Sequence, residues 1–488
     1  MARTLFVFAA ALMVFACGPS TVRAQPTEPP PIFASSGVPA FDEWRDDFAR
    51  RALSAGRSRA AVERVLTGIT PDERVIELDR RQPEFVSPVW QYVDNRVTQR
   101  RIDDGLALKS SIRPTLDAVE ARYGVDQNII LGIWGLESNY GEATLPYDAP
   151  TALATLAYEG RRRDLFERFL MAAIEMVERG LAEQNELRSS YAGALGQPQF
   201  MPDVYLTTAV DWDGDGHRDI WTNRGDVAAS IANYLADRGW RRGEPVFDEV
   251  TLPNDFDHAL ADGTERSVAD WAARGVRRID GREWASEHRN LQSQLFLPAG
   301  AEGPALLLHG NFAVIRRYNP SDRYALVVAL LARAYADEPG LQRAWPTHVG
   351  SLNRDQTLQL QILLNQLGFD AGAPDGLFGS ATRRAVRAFQ QQNGQAADGF
   401  PTVQLLSAVQ AASGVIAPVT VGPPQPLDRA GVRELQRVLN RLGYGAGRAD
   451  GVVGGRTRDA IRAFERRQSM EVRGEATDAV LEAARSID

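Results

Sequence analysis

The chain has 488 residues, 44% of them hydrophobic and 24% charged, and a formal net charge of −8 at pH 7. That length exceeds one compact core, so two or more domains are expected. The acidic balance, with no basic cluster against it, excludes a nucleic-acid partner of the usual electrostatic kind.

The N-terminus reads as a signal peptide over residues 1–24. Arg3 opens it, Leu5 to Ala16 is apolar but too short to span a bilayer comfortably, and Val22-Arg23-Ala24 is a small-residue cleavage pattern before Gln25. Cys17 is the one cysteine, so no disulfide forms within a chain. A lipoprotein anchor through Cys17 is the alternative, but Phe15 fits that processing site poorly. Export to a bacterial periplasm is expected. Residues 25–40 form a flexible leader.

Helical patterns follow at Phe41 to Ala55, Arg59 to Leu66, and Asp103 to Tyr123, the last interrupted near Pro114. The next stretch, Ile129 to Gly141, is the most informative. Asp126 is its candidate N-cap and Gly141 its candidate stop. Ile129, Ile133 and Leu136 recur at helical spacing, which puts Glu137 on the apolar face in the last turn. Burial and the negative end of the helix both favour a protonated carboxyl there, as a general acid requires. The bland alternative is a Glu paired with Arg or facing solvent at a frayed end.

Helices are expected around Ala152 to Ala157, Leu165 to Arg179, and Asp226 to Arg238. Between them, Tyr191 to Pro202 is glycine-rich, and Gln199 offers donors and acceptors suited to sugar hydroxyls. Asp211, Asp213, Asp215 and Gly216 match the start of an EF-hand loop, although Thr222 stands where Glu is expected at position twelve. The bland alternative is a solvated acidic turn. Residues 240–317 suggest a small β subdomain with runs at Pro245 to Leu252, Leu295 to Leu297, Ala305 to Leu308 and Asn311 to Ile315. A helix from Ser321 to Ala336 closes the region. Residues beyond 345 repeat at an offset of seventy-five: Leu360 with Leu435, Gly368 with Gly443, Asp375-Gly376 with Asp450-Gly451, Phe389 with Phe464. Each copy reads as three helices around an Asp-Gly turn, over 346–412 and 427–488, joined by a Pro-rich linker over 413–426.

The repeats resemble the peptidoglycan-binding domain 1 family, through Leu435-Gln436 to Gly443, Asp450 to Thr457, and Ala460 to Phe464, with Leu360-Gln361 to Gly368 in the first copy. The stretch Glu137-Ser138-Asn139-Tyr140-Gly141, followed by Gly193-Ala194-Leu195-Gly196-Gln197-Pro198-Gln199-Phe200-Met201-Pro202, resembles the lysozyme-like core of the B-family lytic murein transglycosylases. A third segment, Arg317-Tyr318-Asn319 to Tyr324-Ala325, matches a groove-lining stretch of that family.

The resemblance covers residues 41–345 as the catalytic domain. It implies a mainly α protein: a lysozyme-like helical domain with a small β subdomain, then two three-helix modules. Glu137 would protonate the glycosidic oxygen between N-acetylmuramic acid and N-acetylglucosamine, then act as base while the muramyl C6 hydroxyl closes a 1,6-anhydro ring. Tyr318, Asn319 and Tyr324, together with Gln199, would line the groove. Tyr92, Ser190 and Tyr234 join them on spacing alone. A structural Ca2+ would be held by Asp211, Asp213, Asp215, the His217 carbonyl, and Asp226, which is also a natural N-cap. The implied partner is the peptidoglycan glycan strand, with wall synthesis or remodelling proteins as further partners and a monomer as the expected state. No organic cofactor is implied.

A hydrolytic muramidase is the enzymatic alternative, with Asp148, Glu142 or Glu159 as the second carboxylate. A non-catalytic wall-binding scaffold is the other. A zinc amidase is disfavoured, because His217, His258, His288, His309 and His348 lack ligand spacing. The repeats are expected to act as tethers that raise local substrate concentration.

Overall fold

The computed structural model describes residues 31–80, 88–350, 352–414, 426–467 and 473–485. The expected signal peptide, Cys17 and most of the Pro-rich linker lie outside them. The described residues are mainly α-helical, with a two-stranded and a five-stranded sheet and four hydrophobic cores among them.

The largest core surrounds the Glu137 helix, Gln127–Ser138, which buries every residue from Ile129 to Gly135. Asp126 caps its start by accepting from the Asn128 N–H. Gly132 lets it press against the helix Asp322–Tyr335: a Cβ there would lie 2.8 Å from the Val328 carbonyl oxygen. The helix stops two residues earlier than its glycine suggests. Asn139 takes the left-handed conformation at φ 50° and donates to the Gly135 carbonyl, so Asn supplies the stop expected of Gly141.

The Asp103 to Tyr123 pattern is two helices, Gln99–Ser111 and Arg113–Tyr123. Pro114 sits in the first turn of the second, where its missing N–H costs nothing. The helices Glu73–Arg80, Val89–Asp94 and Pro202–Thr208 were not anticipated from the pattern.

The β subdomain is a five-stranded antiparallel sheet in the order Arg266–Ser267, Gln292–Phe296, Ala305–Leu308, Phe247–Thr251, Arg277–Arg278. Val250, Trp271, Leu295 and Leu307 centre its core. The run Asn311 to Ile315 is not a strand. It lies in a helix, Gly310–Tyr318, burying Asn311, Phe312, Val314 and Ile315. Four apolar residues after Asn311 carry no decisive period. The Asn311 amide decides the matter by bonding Arg241 N–H and the Arg241 and Glu244 carbonyls, which fixes the helix start beside the body.

The repeat residues are mostly structural. Gln361 donates to Leu377 O and Thr382 Oγ1 and accepts from Gly376 N–H; Gln436 does the same with Val452, Thr457 and Gly451. The matched Gln, Asp-Gly and Thr positions are thus one buried network in each module. The first module is also seated on the body. Asp398 Oδ2 accepts from Ala301 N–H at 2.8 Å, Arg387 donates to Ala261 O, and Phe400 packs against the main core. Seventy-five residues later, Arg473 and Glu475 replace Asp398 and Phe400. The seat therefore belongs to the first copy.

Candidate active site

Glu137 lies in the last turn of its helix, half-buried. The Tyr324 hydroxyl donates to its Oε1 at 2.6 Å. Tyr324 comes from the first turn of the adjacent helix, which Ser321 caps by accepting from the Tyr324 N–H. Burial, then the Glu137 charge, raises the Tyr324 phenol well above its ordinary pKa, so it stays a donor. Tyr318 is raised for the same two reasons, in the same order. Its hydroxyl donates to Pro198 O at 2.6 Å, which ties the helix Gly310–Tyr318 to the glycine-rich loop.

Tyr234 packs its ring 4.6 Å from that of Tyr318 and carries Arg238 3.4 Å above its centroid. Tyr92 is buried under Arg96 at 3.6 Å. Tyr92 and Tyr318 both lie within electrostatic reach of Tyr324. Tyr324 and Tyr318 thus face the Glu137 carboxylate, with Tyr234 packed behind Tyr318 and Tyr92 near Tyr324. Ser190 and Gln199 turn to their own loop instead: Ser190 Oγ accepts from Ala194 N–H, and Gln199 Nε2 donates to Gly196 O. Gln199 is left-handed at φ 53°, and that bond steadies the turn. Asn319 ends the helix of Tyr318, and its carbonyl accepts from Ser321 N–H.

Each alternative carboxylate has a local partner. Asp148 caps the helix Ala149–Glu159 through Thr151, Glu142 accepts from Asn139, and Glu159 pairs with Arg80 and Arg161.

The acidic loop brings together three of the five residues its spacing suggests. Asp211, Asp213 and Asp226 bring carboxylate oxygens within 4.8 Å of one another. Asp215 and His217 lie outside that trio; both are exposed, and Asp215 accepts from the His217 N–H. Asp226 is fully buried and is not an N-cap, a role Asn223 takes. It accepts from Trp212 and Asp219 N–H at 2.8 and 2.7 Å. Burial, then the charges of Asp213 and Asp211, pushes Asp226 up to about 6 against those two donors. Three crowded carboxylates with such strain suit a hard dication.

Residues 40–333 match the transglycosylase SLT domain model, and residues 353–409 and 428–484 match the peptidoglycan binding domain model. This chain belongs to the transglycosylase SLT domain family. It is a peptidoglycan lytic transglycosylase. The membrane-bound lytic murein transglycosylase B of Escherichia coli K12 is 30% identical over 288 residues, 58% of this chain and 76% of that one. SltB3 from Pseudomonas aeruginosa, in complexes with NAG-anhNAM-pentapeptide and NAG-NAM-pentapeptide, superposes with a TM-score of 0.73 at 42% identity. That match covers 76% of this chain and 99% of SltB3. The E. coli lytic transglycosylase Slt35 in complex with calcium is 27% identical with a TM-score of 0.53, over 60% of this chain and 92% of that one.

Three features of this transglycosylase escaped sequence reasoning. The Pro198 carbonyl anchors Tyr318, Asp219 ties Asp226 to the end of the acidic loop, and Gln197 touches the Glu137 helix. Each depends on partners distant in sequence, so no spacing signals them. Among the described residues, no helix is long and apolar enough to cross a membrane.

Proposed function

We propose that Glu137 is the general acid and then the base in cleavage of the β-1,4 bond between N-acetylmuramic acid and N-acetylglucosamine. One observation carries this: a half-buried carboxylate at a helix end, with the Tyr324 phenol on Oε1 at 2.6 Å. A phenol that keeps its proton makes Oε1 the acceptor, so the acid proton resides on Oε2. That proton passes to the glycosidic oxygen as the C1–O bond breaks. The carboxylate then takes the proton of the muramyl C6 hydroxyl, whose oxygen bonds to C1. A 1,6-anhydro end forms, no water is consumed, and Glu137 is again protonated. Local commitment of Asp148, Glu142 and Glu159 supports this reading over hydrolysis, which would need a second carboxylate at the bond. The anhydro sugar held by SltB3 supports it as well.

Asp211, Asp213 and Asp226 would hold one calcium ion, which stabilises the acidic loop by neutralising it. Tyr324 and Tyr318 are the groove residues with the most support, since both face Glu137, whereas Ser190 and Gln199 would shape the path through their loop, and Tyr92, Tyr234 and Asn319 would shape it from behind. Residues 1–24 direct export to the periplasm; fatty-acid labelling of cells would reveal lipid at Cys17 instead.

Digestion of purified sacculi decides the chemistry. Products one water lighter than reducing ends are expected, and Glu137→Gln should release none. Reducing ends would establish a muramidase, and a fully active Glu137→Gln would remove Glu137 from the reaction.

A further inference from the structure

The turn after Glu137 is unusual in its backbone. Asn139, Tyr140 and Gly141 all have positive φ, at 50°, 60° and 90°. Left-handed non-glycine residues are sparsely populated and persist where surroundings hold them. Tyr140 is held on one side: its hydroxyl donates to Arg101 O and meets Tyr335. Its ring fills notches at Gly105 and Gly135, where a Cβ would lie 2.6 Å from that hydroxyl.

Gln197 holds the other side. Its Oε1 accepts from the Trp134 indole N–H at 2.8 Å, and Trp134 is fully buried three residues before Glu137. The same carboxamide lies against Gly141, four residues after Glu137; a Cβ there would come within 2.5 Å of it. Gln197 Nε2 donates to Trp221 O at 2.6 Å, and its backbone N–H donates to Ile220 O at 2.9 Å. One end of the amide faces a donor and the other an acceptor, so its orientation is settled by chemistry. The family signature leaves this position open, and nothing in the spacing of the chain marks it.

We propose that Gln197 is a positioning residue for the transglycosylase reaction: its carboxamide braces the left-handed turn and the Trp134 turn together, and so sets the place of the Glu137 carboxylate. The inference rests on Glu137 being the acid and base. A displacement on the order of 1 Å at a reacting group costs up to about a hundredfold in rate. The carboxamide is engaged by Trp134 and Trp221, which leaves it no free hydrogen-bonding group for substrate, so the loss is expected in kcat rather than KM.

The test uses the full chain on soluble glycan strands. Gln197→Met keeps the volume and removes both side-chain hydrogen bonds. It should lower kcat by about tenfold or more, leave KM within about twofold, and shift the limb of the pH profile that reports Glu137. Trp134→Phe removes the same bond from the other side, so the double variant should lose much less than the product of the two single losses. Gln197→Met that folds like wild type, with kcat within twofold and an unmoved pH limb, would overturn the proposal. If Gln197→Met melts far below wild type, Trp134→Phe carries the same kcat, KM and pH comparison. Glu137→Gln in the same assay separates the two ideas: an active Glu137→Gln sinks the acid assignment, whereas an inactive one beside a fully active Gln197→Met sinks the brace.

Discussion

At the scale of single residues, two carboxylates sit in contrasting surroundings. Glu137 is served by a phenol donor, Tyr324, and Asp226 is crowded by other carboxylates. Replacing Tyr324 by Phe keeps the ring and removes the bond that orients Oε1. Its kcat on soluble strands should fall about ten- to a hundredfold with the melting temperature little changed; an unchanged kcat would deny the hydroxyl its role. Asp226 gives a prediction in pH. Its folded pKa of about 6 lies above the ordinary 3.8, so without a cation its contribution to stability is complete below the lower value and lost as pH rises through the higher. A dication needs the ionised form and reverses that slope. The gain in melting temperature from calcium should therefore be large at about pH 7.5 and nearly vanish by about pH 5. A gain independent of pH, or none at all, would remove the ion from this loop.

At the scale of elements, the Glu137–Tyr324 geometry depends on how closely two helices approach. Gly132 leaves no gap between the Glu137 helix and Val328 on the Tyr324 helix. Gly132→Ala must push them apart, at about 1–3 kcal/mol in urea unfolding, and should lower kcat as Tyr324 leaves Glu137. Equal stability and activity would mean the helices adjust at no cost. The sheet has its own latch. Asp248 on one strand, Ser293 on another and His309 at the start of the Tyr318 helix form a hydrogen-bonded chain, with His309 3.0 Å from Asp248 and 2.8 Å from Ser293. It looks like a nucleophile triad but is sealed, since all three are buried. Its role is to join strands to helix. Burial would raise the Asp248 carboxyl, but His309, Arg278 and Trp284 outweigh it and hold it below the usual range. The stability it contributes is thus present above the ordinary carboxylate pKa and lost as pH falls through the lowered one. Asp248→Asn should destabilise the protein by a few kcal/mol at neutral pH and flatten its acid unfolding limb.

At the scale of the whole molecule, the two repeats do not have equal standing. The first shares the Phe400 contact with the main core, and Gly300 has no room for a side chain beneath Asp398. A chain ending at residue 414 should keep the melting temperature of the catalytic body and full turnover of soluble strands, losing part of its grip on sacculi. A chain ending near Trp345 uncovers the Phe400 seat and should melt several degrees lower. Equal melting of the two would restore the simpler picture of two tethers.

Short-range patterns carried a large share of this protein. Helical spacing placed Glu137 at the end of a buried helix, the fixed offset revealed the two modules, and the glycine-rich and acidic loops stood out by composition. These signals are local because each arises from one turn, one face or one repeat of backbone. Where local pattern was thin, it misled: Asn311 to Ile315 read as a strand until the Asn311 amide found Arg241 and Glu244. Only tertiary packing brought buried Asp226 beside Asp211 and Asp213, joined Tyr324 to Glu137 across 187 residues, set Gln197 against Trp134 and Gly141, and seated one module and its Asp398 on the body. Each is a contact between segments far apart in the chain, whose partners are selected by how helices and loops fill space and not by any spacing along the sequence.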